Sequence, residues 1–174
     1  MRRVRLLVFR WRMSLPRNGT MNEKLQNKLF KKFPKLFARR KLDITESCMF
    51  WGIDCGDGWY DLIYQMSEEL IYQGHRCGFT FQLEQVKEKF GVLTCYLHRE
   101  WNVDREKYRS ACQVIQKYSG KSLTTCEETG GIGSLKKNSN GHLKTLSSMS
   151  AELMGFKPVE NPVSTFTKEE RLIS

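Results

Sequence analysis

The sequence predicts an α+β domain: three main helices packed on a small antiparallel sheet, with a metal-free, ribbon-like C-terminal hairpin and short helix. Three observations carry this reading. Apolar residues recur at helical spacing near residues 22–33, 57–73 and 104–119. Residues 79–97 switch to the two-residue alternation of strands. Residues 122–156 then break into short pieces punctuated by glycine.

In NEKLQNKLFKKFPKLFARR, Leu25, Leu29, Phe33 and Leu36 share one helical face and Asn22 is placed as N-cap. Pro34 lacks an N–H and clashes with the preceding turn, so the helix is expected to be firm to about Phe33, with a weaker turn to Arg40. The linker SCMFWGIDCGD at 47–57 should bury Met49, Phe50, Trp51 and Ile53. Asp57 should cap the second helix, with Gly58 and Trp59 in its first turn. Trp59, Ile63, Met66 and Leu70 lie on one face, joined by Leu62, and Gly74 is the expected C′ residue.

Phe79, Phe81 and Leu83 alternate as one strand, and QVKEKFGVLTCYL reads as two strands meeting near Phe90–Gly91. The alternation slips between Leu83 and Val86, which predicts a bulge or break. The inward set of the second strand is either Val92/Thr94/Tyr96 or Leu93/Cys95/Leu97, and the second is the more apolar. A third helix is expected over Asp104–Ser119 with Tyr108, Ala111, Cys112, Ile115 and Tyr118 inward and Gly120 at its end. HLKTL should be a strand and Ser147–Met154 a short helix closed by Gly155. The expected organisation is a basic leader at 1–20, disordered or upstream of the true start, one domain at 21–156 that includes a ribbon-like module at 122–156, and a flexible tail at 157–174.

The 174 residues are 40% apolar and 28% charged, ordinary for a soluble domain. The longest clean apolar run, LLVF at 6–9, falls far short of the ~20 residues of a membrane span. It is also short of a secretory core, so the six cysteines are read as reduced thiols and the location as cytoplasmic. The net charge is +10, of which six arginines in residues 1–20 supply +6, leaving +4 for the rest. Lys24, Lys28, Lys31, Lys32, Lys35, Arg39, Arg40 and Lys41 then face only Glu23. A basic arm of this kind suits nucleic acid or an anionic membrane surface; an acid-free leader also has the make-up of a transit peptide.

Residues 124–150, TTCEETGGIGSLKKNSNGHLKTLSSMS, have the outline of a zinc ribbon without its chemistry. A structural zinc site closes with four Cys or His ligands. Here Cys126 stands alone. Thr129 occupies the place of its pair, and Ser147 and Ser150 occupy the place of the second pair. No metal and no cofactor are expected.

CMFWGIDCGDGWYDLI at 48–63, QVKEKFGVLTCYL at 85–97 and the C-terminal ribbon together resemble an uncharacterised family of small proteins of tailed bacteriophages and prophages. That family carries a GDGWY-type helix start, a QVKEKFG-type hairpin and a C-terminal zinc-ribbon-like motif, CxxCG…KTLCxxH. The resemblance runs over about 21–156. It departs at CEETG (126–130) and KTLSSMS (144–150), so zinc binding does not carry over. It implies a phage or prophage accessory protein working in the host cytoplasm, and Met21 as the start. It implies no activity.

The functional expectation is a non-enzymatic protein that binds a host protein or nucleic acid and modulates the host. The candidate binding residues are Trp51, Trp59, Tyr60, Lys136, Lys137 and Lys144. Tryptophan and tyrosine dominate interface energetics when exposed; Trp59 is at the same time expected in the core. The rival reading is a metal-dependent enzyme on nucleic acid or nucleotide. Asp54, Asp57 and Asp61 would hold Mg²⁺ for phosphoryl chemistry. Against it, Asp57 suits a helix cap, Asp61 a first helical turn and Asp54 a turn. His75, His98 and His142 lack partners at metal spacing, His75 and Cys77 are a weak dyad, and GGIGS at 130–134 lacks the strand and Lys-Ser/Thr of a phosphate loop.

Overall fold

The computed structural model describes residues 19–99 and 104–159. Residues 1–18 of the expected leader and 160–174 of the expected tail lie outside the described residues.

Helix α1 spans Glu23–Lys32, and the Asn22 side chain accepts a hydrogen bond from the Lys24 N–H at 2.9 Å. Pro34 follows its end as expected, and the chain continues in turns to a 3-10 turn at Ala38–Lys41. Leu29, Phe30, Phe33, Leu36 and Phe37 are all buried. The linker then forms a 3-10 turn at Cys48–Trp51 and a two-residue strand, β1 (Ile53–Asp54). Met49 and Ile53 are buried, but Trp51 is 49% exposed. Helix α2 runs Tyr60–Cys77 and buries Leu62, Ile63, Met66 and Leu70.

Two expectations about α2 are corrected. Asp57 does not cap it: Asp57–Trp59 is a 3-10 turn, and the N-cap residue is Trp59, whose side chain makes no cap hydrogen bond. The Asp57 carboxylate instead accepts the Asn22 N–H at 2.6 Å, so it ties the start of α1 to this corner. Gly74 is not the C′ residue. The helix runs on to Cys77, and Gly78 takes the left-handed conformation with φ 62°. Gly74 is buried because the Phe79 carbonyl lies where a side chain would begin, 2.5 Å from an ideal Cβ.

Strands β2 (Leu83–Lys89) and β3 (Val92–Leu97) form an antiparallel hairpin, with β1 parallel to β2 on its other side. The sheet is therefore mixed, and its order is β1-β2-β3. The hairpin turn is Phe90–Gly91, with φ 54° and 81°. Positive φ at both positions is the geometry of a two-residue turn that matches strand twist. The register shifts between Leu83 and Gln85, where the alternation slipped. Leu93, Cys95 and Leu97 point inward. Phe79–Phe81 is not strand, although Phe81 is buried.

Helix α3 (Arg105–Ser122) packs on both β3 and α2. The Asp104 carboxylate accepts the Glu106 N–H at 2.7 Å as cap. The helix passes through Gly120, and Val114 joins Ala111, Ile115 and Tyr118 in the core. The C-terminal module adds β4 (Ser134–Asn138), β5 (Leu143–Leu146), α4 (Ser148–Met154) and β6 (Phe156–Pro158). Its sheet has the order β5-β4-β6, all antiparallel. Strand β6 corrects the boundary placed at residue 156: Lys157 and Pro158 pair with β4 and belong to the domain. The fold is α+β, with four helices and two three-stranded sheets among the described residues.

Candidate functional site

The four ribbon positions, Cys126, Thr129, Ser147 and Ser150, meet in space. The Cys126 thiol lies 3.7 Å from the Ser150 hydroxyl, which accepts from the Ser147 hydroxyl at 2.9 Å. Ser147 also caps α4 by accepting the Ser150 N–H at 3.1 Å. Burial raises the Cys126 pKa, but the neighbouring Thr129 hydroxyl and the backbone of Ser147, Thr129 and Glu128 lower it, to about 7. Cys126, Leu146 and Ala151 are buried together beneath Phe156 as the module's own small core.

The residue after the cysteine locks the module to the body. Glu127 is fully buried. One carboxylate oxygen accepts the Gly56 N–H at 2.9 Å and the other the Lys144 ammonium at 2.9 Å. Its own carbonyl accepts the Gly58 N–H at 2.7 Å. Burial pushes the Glu127 carboxyl upward against the pull of Lys144. Burial lowers the Lys144 ammonium, but Glu127 and Glu128 outweigh it and hold Lys144 above its ordinary value. Gly56 and Gly58 are glycine for a steric reason. A Cβ on Gly56 would meet the Glu127 carbonyl at 2.5 Å, and one on Gly58 would meet the Thr129 backbone nitrogen at 2.6 Å. Trp59 adds a hydrogen bond from its indole N–H to the Thr125 carbonyl at 2.8 Å, and the buried Thr145 hydroxyl donates to the Gly91 carbonyl at 2.7 Å. The GDGWY corner and the hairpin turn are therefore the seat of the ribbon module.

These contacts sort the expected binding residues. Trp59 is fully buried and structural. Tyr60 is half-buried against Tyr64. Lys144 is held by Glu127 and Glu128, so it offers no free cation to a partner, and Lys136 is 7% exposed. Their positions in strands β5 and β4, facing the body, were not distinguishable from a solvated basic turn in the sequence. Lys137 and Trp51 are exposed. The two do not share an element. Asp54, Asp57 and Asp61 are exposed, with Asp57 engaged on Asn22. Among the described residues no group of three or more His, Cys, Asp or Glu is placed to hold a metal ion. His98 faces Glu84 at 3.3 Å, beside Arg39, and His142 faces Asn138.

What the individual candidates missed is a surface. Lys24, Lys28 and Lys31 repeat at i, i+4 and i+7 along α1, Lys32 lies beside them and Lys35 follows the helix end; all five are exposed. Among the described residues none of the five is ion-paired. Lys31 and Lys32 in the last turn complement the helix dipole, but Lys24 in the first turn opposes it. Like charges at i, i+4 cost a helix a few tenths of a kcal/mol, about 0.2–0.5 per pair. Helix stability accounts for part of this stripe and not for the whole. The signal was present as the 24–41 charge run; only the fold shows that the lysines share one outer face.

No family model matches the chain, and neither does any curated protein or solved structure.

Proposed function

We propose that the protein is a non-enzymatic phage or prophage accessory protein that acts by binding, and that nucleic acid is the partner its surface fits. The phage origin rests on the motif resemblance at 48–63, 85–97 and 126–150. The observation that carries the binding reading is the exposed, unpaired lysine stripe of α1. Regularly spaced ammonium groups attract a phosphate backbone through counterion release, without reading its sequence. The ribbon module contributes by clamping the corner from which Asp57 holds the start of α1. The test is the affinity of the full chain for a fluorescent oligonucleotide at low salt. Lys24→Glu/Lys28→Glu/Lys31→Glu should lower it at least tenfold while the melting temperature holds. Unchanged affinity in the folded variant removes α1 from the binding surface.

A host-protein partner is the second reading, and one observation favours it. Ile132, Met149 and Leu153 on the ribbon module are 91%, 75% and 82% exposed. Met149 and Leu153 lie one helical turn apart on α4.

A further inference from the structure

The lysine stripe ends at a cavity. A space of about 620 Å³ opens between the end of α1 and the last turns of α2. Its floor is apolar and aromatic, formed by Phe33, Phe81 and Phe79, with Ile71 and Tyr72 on the α2 side. The Phe79 and Phe81 rings lie 5.2 Å apart at 59° to one another, and the Tyr72 ring is 60% exposed at the mouth. Lys32 and Lys35 line the cavity on the side facing the stripe, and His75 lies on α2. Glu68 is the single acid in the lining, so the balance of charge favours an anion.

We propose that this cavity receives an unpaired nucleobase from a strand whose phosphates run along Lys24, Lys28, Lys31, Lys32 and Lys35. The inference rests on the nucleic-acid reading and narrows it to single strands. A track of cations beside an aromatic wall is what a single strand requires: charge follows the backbone, and rings take the bases by stacking. The volume lies within the range of small-molecule pockets and exceeds what a flat stacking platform needs. A duplex keeps its bases paired and stacked on one another, so it can use the lysines and not the cavity.

The experiment uses the full chain with three probes at low salt: a fluorescent 20-nucleotide single strand, the matching duplex, and vesicles containing anionic lipid. The expected result is tighter binding of the single strand than of the duplex. Tyr72→Ala should weaken the single strand by about 5- to 150-fold, the worth of one stacked base, and leave the duplex unchanged. Tyr72→Phe keeps the ring and should bind like the parent. A strand carrying a photoreactive uracil should crosslink to the peptide that contains Tyr72 or Phe79. Equal binding of strand and duplex, unmoved by Tyr72→Ala, overturns the cavity and leaves the lysine stripe standing. Binding of neither nucleic acid, or of vesicles alone, overturns both.

Discussion

Removing the Cys126 thiol should change how stability depends on pH. Cys126 is fully buried, and the Thr129 hydroxyl and the backbone of Ser147, Thr129 and Glu128 hold its pKa at about 7 against an ordinary 9.0. A group whose folded pKa is depressed stabilises the fold above its unfolded pKa, and that stability is lost as pH falls through the folded pKa. The window is therefore pH 7 to 9. Two pKa units at 1.36 kcal/mol each give a ceiling of about 2.7 kcal/mol, of which about 2 is present by pH 8.5. Cys95, pushed by burial up to about 12, acts in the opposite sense, because its unfolded thiol ionises first. Cys55 does likewise. Both are common to parent and variant, so the difference between the two isolates Cys126. Urea melts of the parent and Cys126→Ser, under reductant at pH 6.0, 7.0, 8.0 and 8.5, should diverge steadily as pH rises. A stability difference that stays flat across that range refutes the lowered Cys126 pKa and the polar surroundings held to cause it.

The remaining predictions concern the seat of the module and its chemistry. Trp59→Ala should cost about 3–5 kcal/mol in denaturant melts, as an aromatic core truncation does, and it also strips the Thr125 carbonyl of its donor; a loss below 1 kcal/mol would contradict the structural role. Gly58→Ala should be far more damaging than Gly120→Ala, whose new Cβ meets only open space, because at Gly58 it would enter the 126–130 backbone; thermal melts that rank the two equally would count against the docking. Elemental analysis after chelator-free purification should find no stoichiometric zinc, since Ser147, Ser150 and Thr129 offer neutral hydroxyls where zinc needs thiolate or imidazole; one zinc per chain would mean that Cys126 has other ligands.

Local signals made most of the elements legible. The Phe90–Gly91 turn, the slip near Leu83 and the Leu93/Cys95/Leu97 face are all written within a few residues of where they act. The C-terminal short helix was legible too: Ser147 caps its start and Gly155 ends it. What the sequence hid is long-range. Asp57 looks like the cap of the helix beside it, yet its partner is Asn22, 35 residues away. Glu127 looks like one acid in a polar turn, yet it is buried with the N–H of Gly56, 71 residues upstream, as one of its donors. Lys144 reads as a surface cation for the same reason: the carboxylates that hold it lie on another segment. Strand β6 is three residues long with a proline in it, too short and too unlike a strand to be read without β4 beside it.

The binding claim stands or falls most directly on salt. Affinity for a single-stranded oligonucleotide should be measured from 50 to 300 mM monovalent salt with the parent and with Lys24→Glu/Lys28→Glu/Lys31→Glu/Lys35→Glu. Each phosphate neutralised on a single strand contributes about −0.7 to the slope of log K against log salt. If the four lysines each take one phosphate, the parent's slope should be steeper than the variant's by about 2–3. Equal slopes, at whatever affinity, would show that the α1 stripe does not meet the phosphate backbone.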